Sequence, residues 1–219
     1  MVFDACRSTD PAEREEGLLT LSDLIDDAYG EDGSALGHAV RSSGGMLVLS
    51  WLVIDPSAVI QQEALAVLGN LCSDSFDAQS HLTKRMLLKC GAQRALVMAA
   101  QSEDTGVLVY ACGALQNLCH DDDWAASLVG EGLVPRCAAH LPLNSRSPPA
   151  HLRLAPRSPP ALPPYASLEL LLTPRSPPVH LRSPPAHSLE LLLTHGDSRV
   201  VHYAAGALRN ITIHCENSR

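Results

Sequence analysis

The chain has 219 residues, of which 46% are hydrophobic and 4% aromatic, and it carries a formal net charge of −8 with its histidines neutral. This acidic balance argues against a general nucleic-acid binder. The N-terminal stretch MVFDACRSTDPAEREEG has acids where a signal peptide needs an apolar run, and apolar runs such as 46–54 are too short to span a bilayer. We therefore expect a protein of the cytoplasm, the nucleus or both.

The N-terminal part of the chain alternates between helical segments and turns. Pro11 suits the start of a helix, and the glutamates that follow it favour the positive end of the helix dipole. A polar turn then leads to a short helix, and a pair of glycines leads to an apolar helix that stops at Asp55–Pro56. In order, we predict helix at 11–25, a turn at 26–33, helix at 34–41, a break at 44–45 and helix at 46–54.

The next helix occurs three times along the chain. Its copies are Ile60–Cys72, Gly106–Cys119 and Arg199–Thr212. Asn70 and Asn117 are 47 residues apart, and Asp23 stands 47 residues before Asn70 in the first predicted helix. A fixed period of this length is the signature of a solenoid of stacked repeats. When the three copies are aligned on their asparagine, an alanine and a leucine also fall in common columns. The matching residues are Ala64, Leu68 and Asn70; Ala111, Leu115 and Asn117; and Ala204, Leu208 and Asn210.

The residues between these copies repeat in the same order. We predict helices at 76–89, 93–100 and 105–118, and Gly91 follows Gly44 by 47 residues, so the glycine break is in register too. One unit is therefore a short helix, a glycine turn, a helix, an acidic turn and a long third helix. Each unit buries its apolar face on its neighbour.

Seven cysteines form no C-x-x-C pair and show no zinc-site spacing. Cys72, Cys112 and Cys119 lie in the repeated helices. We expect these to be free, buried thiols in a reducing compartment.

After Asn117 the period is interrupted. We expect His120–Asp123 to be a polar turn that caps the next helix, at 123–130, and a metal site is the alternative for the same residues. Gly132–Leu141 is predicted as a second helix, yet Asn210 follows Gly132 by 78 residues where the preceding unit has 26. The second helix of the last unit is either 133–141 or 187–194.

The inserted residues differ in composition from the repeats. RSPP occurs four times and SLELLLT twice, and thirteen of the sixteen prolines lie between Pro142 and Pro185. Helix cannot persist through such prolines, so we expect a disordered, low-complexity segment. It is either a passive duplicated loop or a ligand for SH3 domains and, through LPPY at 162–165, for WW domains. The predicted domains are repeats at 1–142, the insertion at 143–187, and the final helices of a truncated array at 188–219.

These residues resemble the armadillo-repeat family, over about four fifths of the chain. The specific motifs are the A-x-G-A-L-x-N-L core, as in Cys112–Leu118 and Ala205–Ile211, and the G-L-V-P-R opening at Gly132–Arg136. The resemblance implies an all-α fold, a right-handed superhelix of three-helix units whose third helices line a concave groove for extended peptides or proteins. It also implies that the amides of the ladder asparagines hold the backbone of a bound segment; here these are Asn70, Asn117 and Asn210.

The sequence departs from importin-type repeats in one column. Importin-type repeats have tryptophan four residues before the asparagine, whereas this chain has Ala66, Gly113 and Gly206 at those positions. The missing tryptophans argue against a nuclear-import receptor. Two turns before the asparagine, on the same helix face, stand better candidates for partner contact: Glu63, Tyr110 and Tyr203.

Two functions are compatible with these features. The first is a non-enzymatic scaffold that binds a protein or an extended peptide, which the acidic repeats would favour when it is basic. The second is a regulatory or substrate-recruiting array that belongs to a larger protein such as a ubiquitin ligase. No Ser/His/Asp set, Cys/His set or phosphate-binding loop is recognisable, so we predict no catalytic residue, no cofactor and no metal.

Overall fold

The computed structural model of the chain describes residues 2–28, 30–131, 133 and 188–217, except for the side chains of 188 and 215–217. The predictions for the RSPP segment, for the domain limits beside it and for a helix at 134–141 lie outside these residues. In the described part the secondary structure is helical, with no strand. In chain order the helices are α1 Val2–Cys6, α2 Pro11–Asp27, α3 Glu31–Ser42, α4 Gly45–Leu52, α5 Ala58–Leu71, α6 Ser80–Lys89, α7 Ala92–Ala99, α8 Thr105–Leu118, α9 Asp122–Gly130, α10 Ser188–Leu192 and α11 Ser198–Asn217.

Three-helix units follow one another along the chain. The units are α3 to α5, α6 to α8 and α9 to α11, and the long third helix of each unit packs against the third helix of the next. Helix α2 packs on α5 in the same way, and α1 covers it at Gly17, where an added Cβ would lie 2.9 Å from the Cβ of Ala5. The predicted all-α solenoid is confirmed, with α2, α5, α8 and α11 in one row.

Two glycines start the second helices of consecutive units. Gly44 precedes α4 with a φ of 74°, and Gly91 precedes α7 with a φ of 73°. Both values lie in the left-handed region, which glycine adopts without the steric cost that a Cβ brings. The same backbone turn therefore recurs after 47 residues, which confirms the predicted register of the glycine breaks.

Aspartates begin three of the described helices. Asp10 starts α2, Asp104 starts α8 and Asp121 starts α9, and each carboxylate accepts a hydrogen bond from a backbone N–H in the first turn of its helix. Those first-turn N–H groups have no partner inside the helix, so an aspartate at this position stabilises the helix start. The cap expected within His120–Asp123 is confirmed.

The first predicted turn is shorter than the sequence suggested. Helix α2 continues through Asp27 and α3 begins at Glu31, so the turn predicted at 26–33 is helical at 26–27 and at 31–33. Close packing holds the start of α3, because a Cβ added at Gly33 would lie 2.4 Å from the carbonyl oxygen of Phe76. Polar sequence predicted a turn here, and tertiary packing favours helix instead.

A buried ion pair explains a second difference, at the start of α6. The prediction placed this helix from residue 76, but it begins at Ser80. The carboxylate of Asp77 pairs with the guanidinium of Arg41, and it also accepts a hydrogen bond from the backbone N–H of Gln79 at 2.8 Å. Both partners of the pair are buried. The residues before Ser80 therefore form a turn, and this turn places the carboxylate of Asp77 beside Arg41 of α3.

The last unit, α9 to α11, has a helix in the later of the two segments that were candidates for its second helix. Helix α10 packs against α11, and Leu189 at its start is fully buried. The backbone N–H of Leu189 donates to the carbonyl oxygen of Leu133 at 3.4 Å, so these two distant positions meet in the fold. Of the other candidate, 133–141, only Leu133 is described.

The thiols of the third helices are buried and free, as expected. Cys72, Cys112 and Cys119 are each 0% exposed. Loss of solvent disfavours the thiolate and raises the pKa of Cys72 and of Cys112 to about 12. Within the described ranges, no helix combines the length and the hydropathy needed to cross a bilayer.

Candidate functional site

The third helices leave one stripe of side chains accessible. In α8 the less buried residues recur every three or four positions, which is one face of a helix, while most of the residues between them are buried. The same columns continue the stripe in the other third helices, and we call this surface the ladder face. Its members are Glu16, Leu19 and Asp23 in α2; Glu63, Ala66 and Asn70 in α5; Tyr110, Gly113 and Asn117 in α8; and Tyr203 and Gly206 in α11. Asn210 of α11 stands in the same column as Asn117 but is buried.

Two of the three predicted asparagines join neighbouring third helices. The side-chain nitrogen of Asn117 donates to the carbonyl oxygen of Gly69 at 2.9 Å, and that of Asn210 donates to the carbonyl oxygen of Gln116 at 2.9 Å. Gly69 and Gln116 lie in the last turn of α5 and of α8, where carbonyls have no partner inside the helix. Each amide therefore caps the third helix of the preceding unit.

Asn70 differs from the other two asparagines. Its side chain is exposed and makes no hydrogen bond to any described residue. The equivalent carbonyl in the preceding helix belongs to Ser22, but α2 continues through Asp27, so that carbonyl lies inside the helix and faces the N–H four residues on. Asn70 therefore has no helix end to cap.

The free amide of Asn70 opens onto a cleft between the ends of α2 and α5. The volume of this cleft is about 320 Å³. Its lining residues besides Asn70 are Ile25, Asp26, Ala28, Gly30, Ser75 and Phe76. An amide can both donate and accept hydrogen bonds, so Asn70 is the ladder asparagine best placed to bind a peptide backbone.

The three other predicted contact residues lie on the ladder face as the helical spacing indicates. Tyr110 is 43% exposed. Glu63 and Tyr203 are half-buried, and the ring of Tyr203 meets the ring of His202 edge to face with 5.4 Å between centroids. Whether these residues contact a partner stays a prediction.

Charge is unevenly distributed along the ladder face. The members in α2 and α5 include three carboxylates, those of Glu16, Asp23 and Glu63, whereas the members in α8 and α11 include none. Arg199, at the start of α11, is paired with Asp197 at 2.8 Å, and this hydrogen-bonded pair lowers the pKa of Asp197 to about 2. The ladder face therefore has an acidic part followed by an uncharged part rich in tyrosine and glycine.

Sequence reasoning missed the two glutamines that lie beside this face. A Cβ added at Gly206 would lie 2.6 Å from the side-chain amide of Gln116, and one added at Gly106 would lie 2.6 Å from that of Gln62. Glutamine on one third helix therefore covers glycine on the next. The only sequence signal was Gly206, which lies in a helix interior, where glycine is unfavourable.

The fold and this repeated geometry agree with a family profile. The profile of the Armadillo/beta-catenin-like repeat matches residues 80–120, which span α6 to α8 and the turn that follows. Residues 80–120 therefore form an armadillo repeat. The resemblance found in the sequence is therefore confirmed, and the bond from Asn117 to Gly69 joins the matched repeat to the helical unit before it. Among curated proteins, none matches the sequence.

Solved structures of engineered and designed proteins are similar to this chain over nearly its whole length. An engineered protein, target OR329, has a TM-score of 0.62 at 19% identity over 97% of this chain, which spans 62% of its length. The designed armadillo repeat protein YIII(Dq)4CqI has a TM-score of 0.50 at 14% identity over 96% of this chain and 98% of its own. The designed armadillo repeat protein YIII(Dq.V1)4CPAF, solved in complex with the peptide (KR)4, has a TM-score of 0.52 at 15% identity over 99% of this chain and 86% of its own.

Proposed function

We propose that this chain is a non-enzymatic scaffold that binds an extended protein or peptide segment across the ladder face. The observation that carries the proposal is the accessible stripe on α5 and α8. These two helices are packed on both sides by other third helices, yet Glu63, Asn70 and Tyr110 remain accessible in one register. Stacked repeats create extended surfaces of this kind.

The three asparagines have different roles in this proposal. Asn117 and Asn210 each use one N–H to hold the preceding helix. The Asn70 amide has no such bond, so we expect it to contribute most of the three to the affinity for a peptide backbone. Tyr110 and Tyr203 supply surface for the partner's side chains, and aromatic residues contribute strongly to such contacts.

The partner we propose is basic. The carboxylates of Glu16, Asp23 and Glu63 lie on one part of the ladder face, and the whole chain has a net charge of −8. Complementary charge speeds association and selects partners more than it adds affinity. The similar designed protein solved with (KR)4 supports the choice of a basic peptide. Such partners would be met in the cytoplasm or the nucleus, which imaging of the tagged chain would test.

A peptide titration tests the proposal directly. Fluorescein-labelled (KR)4 is titrated with the intact chain, with Asn70→Ala and with Glu63→Gln, and anisotropy gives each Kd. Loss of one hydrogen bond to the peptide backbone should raise the Kd of Asn70→Ala about 3- to 10-fold without lowering its melting temperature. Met98→Ala is the matched control, because Met98 is 46% exposed on α7, away from the ladder face. Absence of binding to the intact chain, or equal losses in Met98→Ala, would contradict the proposal.

The array could also serve a larger protein, for example by recruiting substrates to a ubiquitin ligase. A longer transcript that joins these repeats to a catalytic domain would support this alternative. SH3- or WW-domain binding by the RSPP segment likewise stays a prediction about residues outside the described part.

A further inference from the structure

One glycine of the ladder face has no packing reason to be glycine. Gly113 lies in the interior of α8, where glycine is among the least favourable residues. Gly206 is covered by the side chain of Gln116, and a Cβ added at Gly69 would be in ordinary van der Waals contact with Ala114 at 3.8 Å. Around a Cβ added at Gly113, no described heavy atom lies within 4 Å.

The repeat register explains this open space. Gln116 directly precedes the asparagine of α8 and covers Gly206, the glycine four residues before the asparagine of α11. The residue equivalent to Gln116 in α5 is Gly69, and the residue equivalent to Gly206 in α8 is Gly113. A side chain that fills one junction is therefore missing from the other. We call the space over Gly69 and Gly113 the notch.

The chemistry around the notch favours an apolar occupant. The carbonyl oxygen of Gly69 already accepts the amide of Asn117, and the two residues that define the notch are glycines, which carry no side-chain charge. Tyr110, one turn before Gly113, is 43% exposed and offers a ring at its side. Glu63 lies two turns before Asn70 on α5, so basic residues suit the flanks.

We propose that the notch receives one apolar side chain, of leucine or methionine size, from a basic segment bound on the ladder face, and that Gly69 determines this preference. The size follows from the glutamine that occupies the equivalent space in the next junction. This inference rests on the proposed peptide binding and adds the identity of one partner residue to it.

A panel of peptides tests the preference with the intact chain. The probes are fluorescein-labelled (KR)4 and its variants in which leucine replaces each residue in turn. Burial of a leucine should make at least one leucine variant bind about tenfold more tightly than (KR)4. In Gly69→Gln, which copies Gln116, this gain should disappear while the Kd for (KR)4 itself changes less than about twofold.

Folding of the variant is controlled by its melting temperature. Gly69→Gln should melt at or above the native chain, because the added Cβ would make only ordinary contacts and glutamine favours helix. Gly113→Leu fills the same notch from the other helix and should also remove the gain, so the test does not depend on one variant.

The outcomes separate the two proposals. If the native chain binds (KR)4 but no leucine variant more tightly, or if both filled variants retain the gain, the notch inference is overturned and peptide binding stands. If the native chain binds none of the peptides, the proposed function fails and the notch inference fails with it.

Discussion

The α5–α8 junction and the α8–α11 junction contain the same type of hydrogen bond but differ in the residue whose carbonyl accepts it. In both, an asparagine amide donates to a carbonyl in the last turn of the preceding third helix, at 2.9 Å. In the second junction Gln116 covers the facing glycine, whereas the first has Gly69 and remains open. The asparagines thus join the helices, while the residue whose carbonyl accepts the bond, Gly69 or Gln116, determines whether the junction is open or filled.

The junction between α2 and α5 shows what the asparagine bond requires. Asn70 stands in the same column as Asn117, but it makes no such bond because α2 extends past the point where α5 and α8 end. Helix length therefore decides whether an identical asparagine holds its neighbour or stays available to a partner. Residue type alone does not separate the two roles.

The largest expected effect concerns the small residues on which both junctions depend. Ala111 and Ala204 are both 0% exposed. Leucine at either position should lower the free energy of unfolding by about 1–3 kcal/mol, because a well-packed interface has no room for three more carbons. Urea denaturation measures this. Ala205→Leu is the matched control, since Ala205 is exposed and should tolerate leucine. A tolerated leucine at Ala111 would show that the helices of this junction are not closely packed.

A smaller effect separates the asparagines. Asn117→Ala should lower the free energy of unfolding by about 1 kcal/mol, the net contribution of a typical hydrogen bond. Asn70→Ala should change it little, because the exposed amide has no described partner and alanine favours helix. Equal losses in the two variants, measured by the same denaturation, would mean that helix length does not distinguish these sites.

Alanine at the two facing glycines should give a gain rather than a loss. Gly113→Ala should raise the free energy of unfolding by about 0.5–1 kcal/mol, because it improves helix propensity and meets only open space. Gly206→Ala should gain less, since the side chain of Gln116 must move away from the new methyl group. Thermal unfolding compares the two, and a loss at Gly113 would reveal a contact that the open junction is not expected to have.

The smallest expected effect concerns the thiols at the two junctions, which we expect to resist chemical labelling. Cys72 and Cys119 occupy the same column at the ends of α5 and α8, and burial raises the pKa of both thiols well above the usual range. At pH 8 both should stay protonated and unlabelled by iodoacetamide while Cys90, which is only half-buried, reacts first. Peptide mapping reports each site, and early labelling of Cys119 alone would show that the second junction opens.

Periodicity in the sequence located the third helices and the columns of the ladder face. Helix α8 has the predicted bounds, Thr105–Leu118, and the glycines at 44 and 91 make the same turn. The unpredicted features depend on contacts between distant residues. The packing of Gly33 against Phe76 keeps the turn after α2 short, and the partners of the Asn117 and Asn210 amides lie 48 and 94 residues away in sequence. Helix α1 was not predicted from the sequence, because a segment of five residues is too short to show helical periodicity.

A nuclear magnetic resonance titration of the nitrogen-15-labelled chain tests the central claim most directly. The leucine-containing peptide that binds best is added while the backbone amides of Gly69 and Gly113 and the side-chain amides of the three asparagines are followed. We expect saturable shifts at Gly69, Gly113 and Asn70, with small shifts at the side-chain amide of Asn210, which stays bonded to Gln116. Shifts confined to residues away from the ladder face, such as Met98, with Gly113 and Asn70 unchanged, would contradict the central claim.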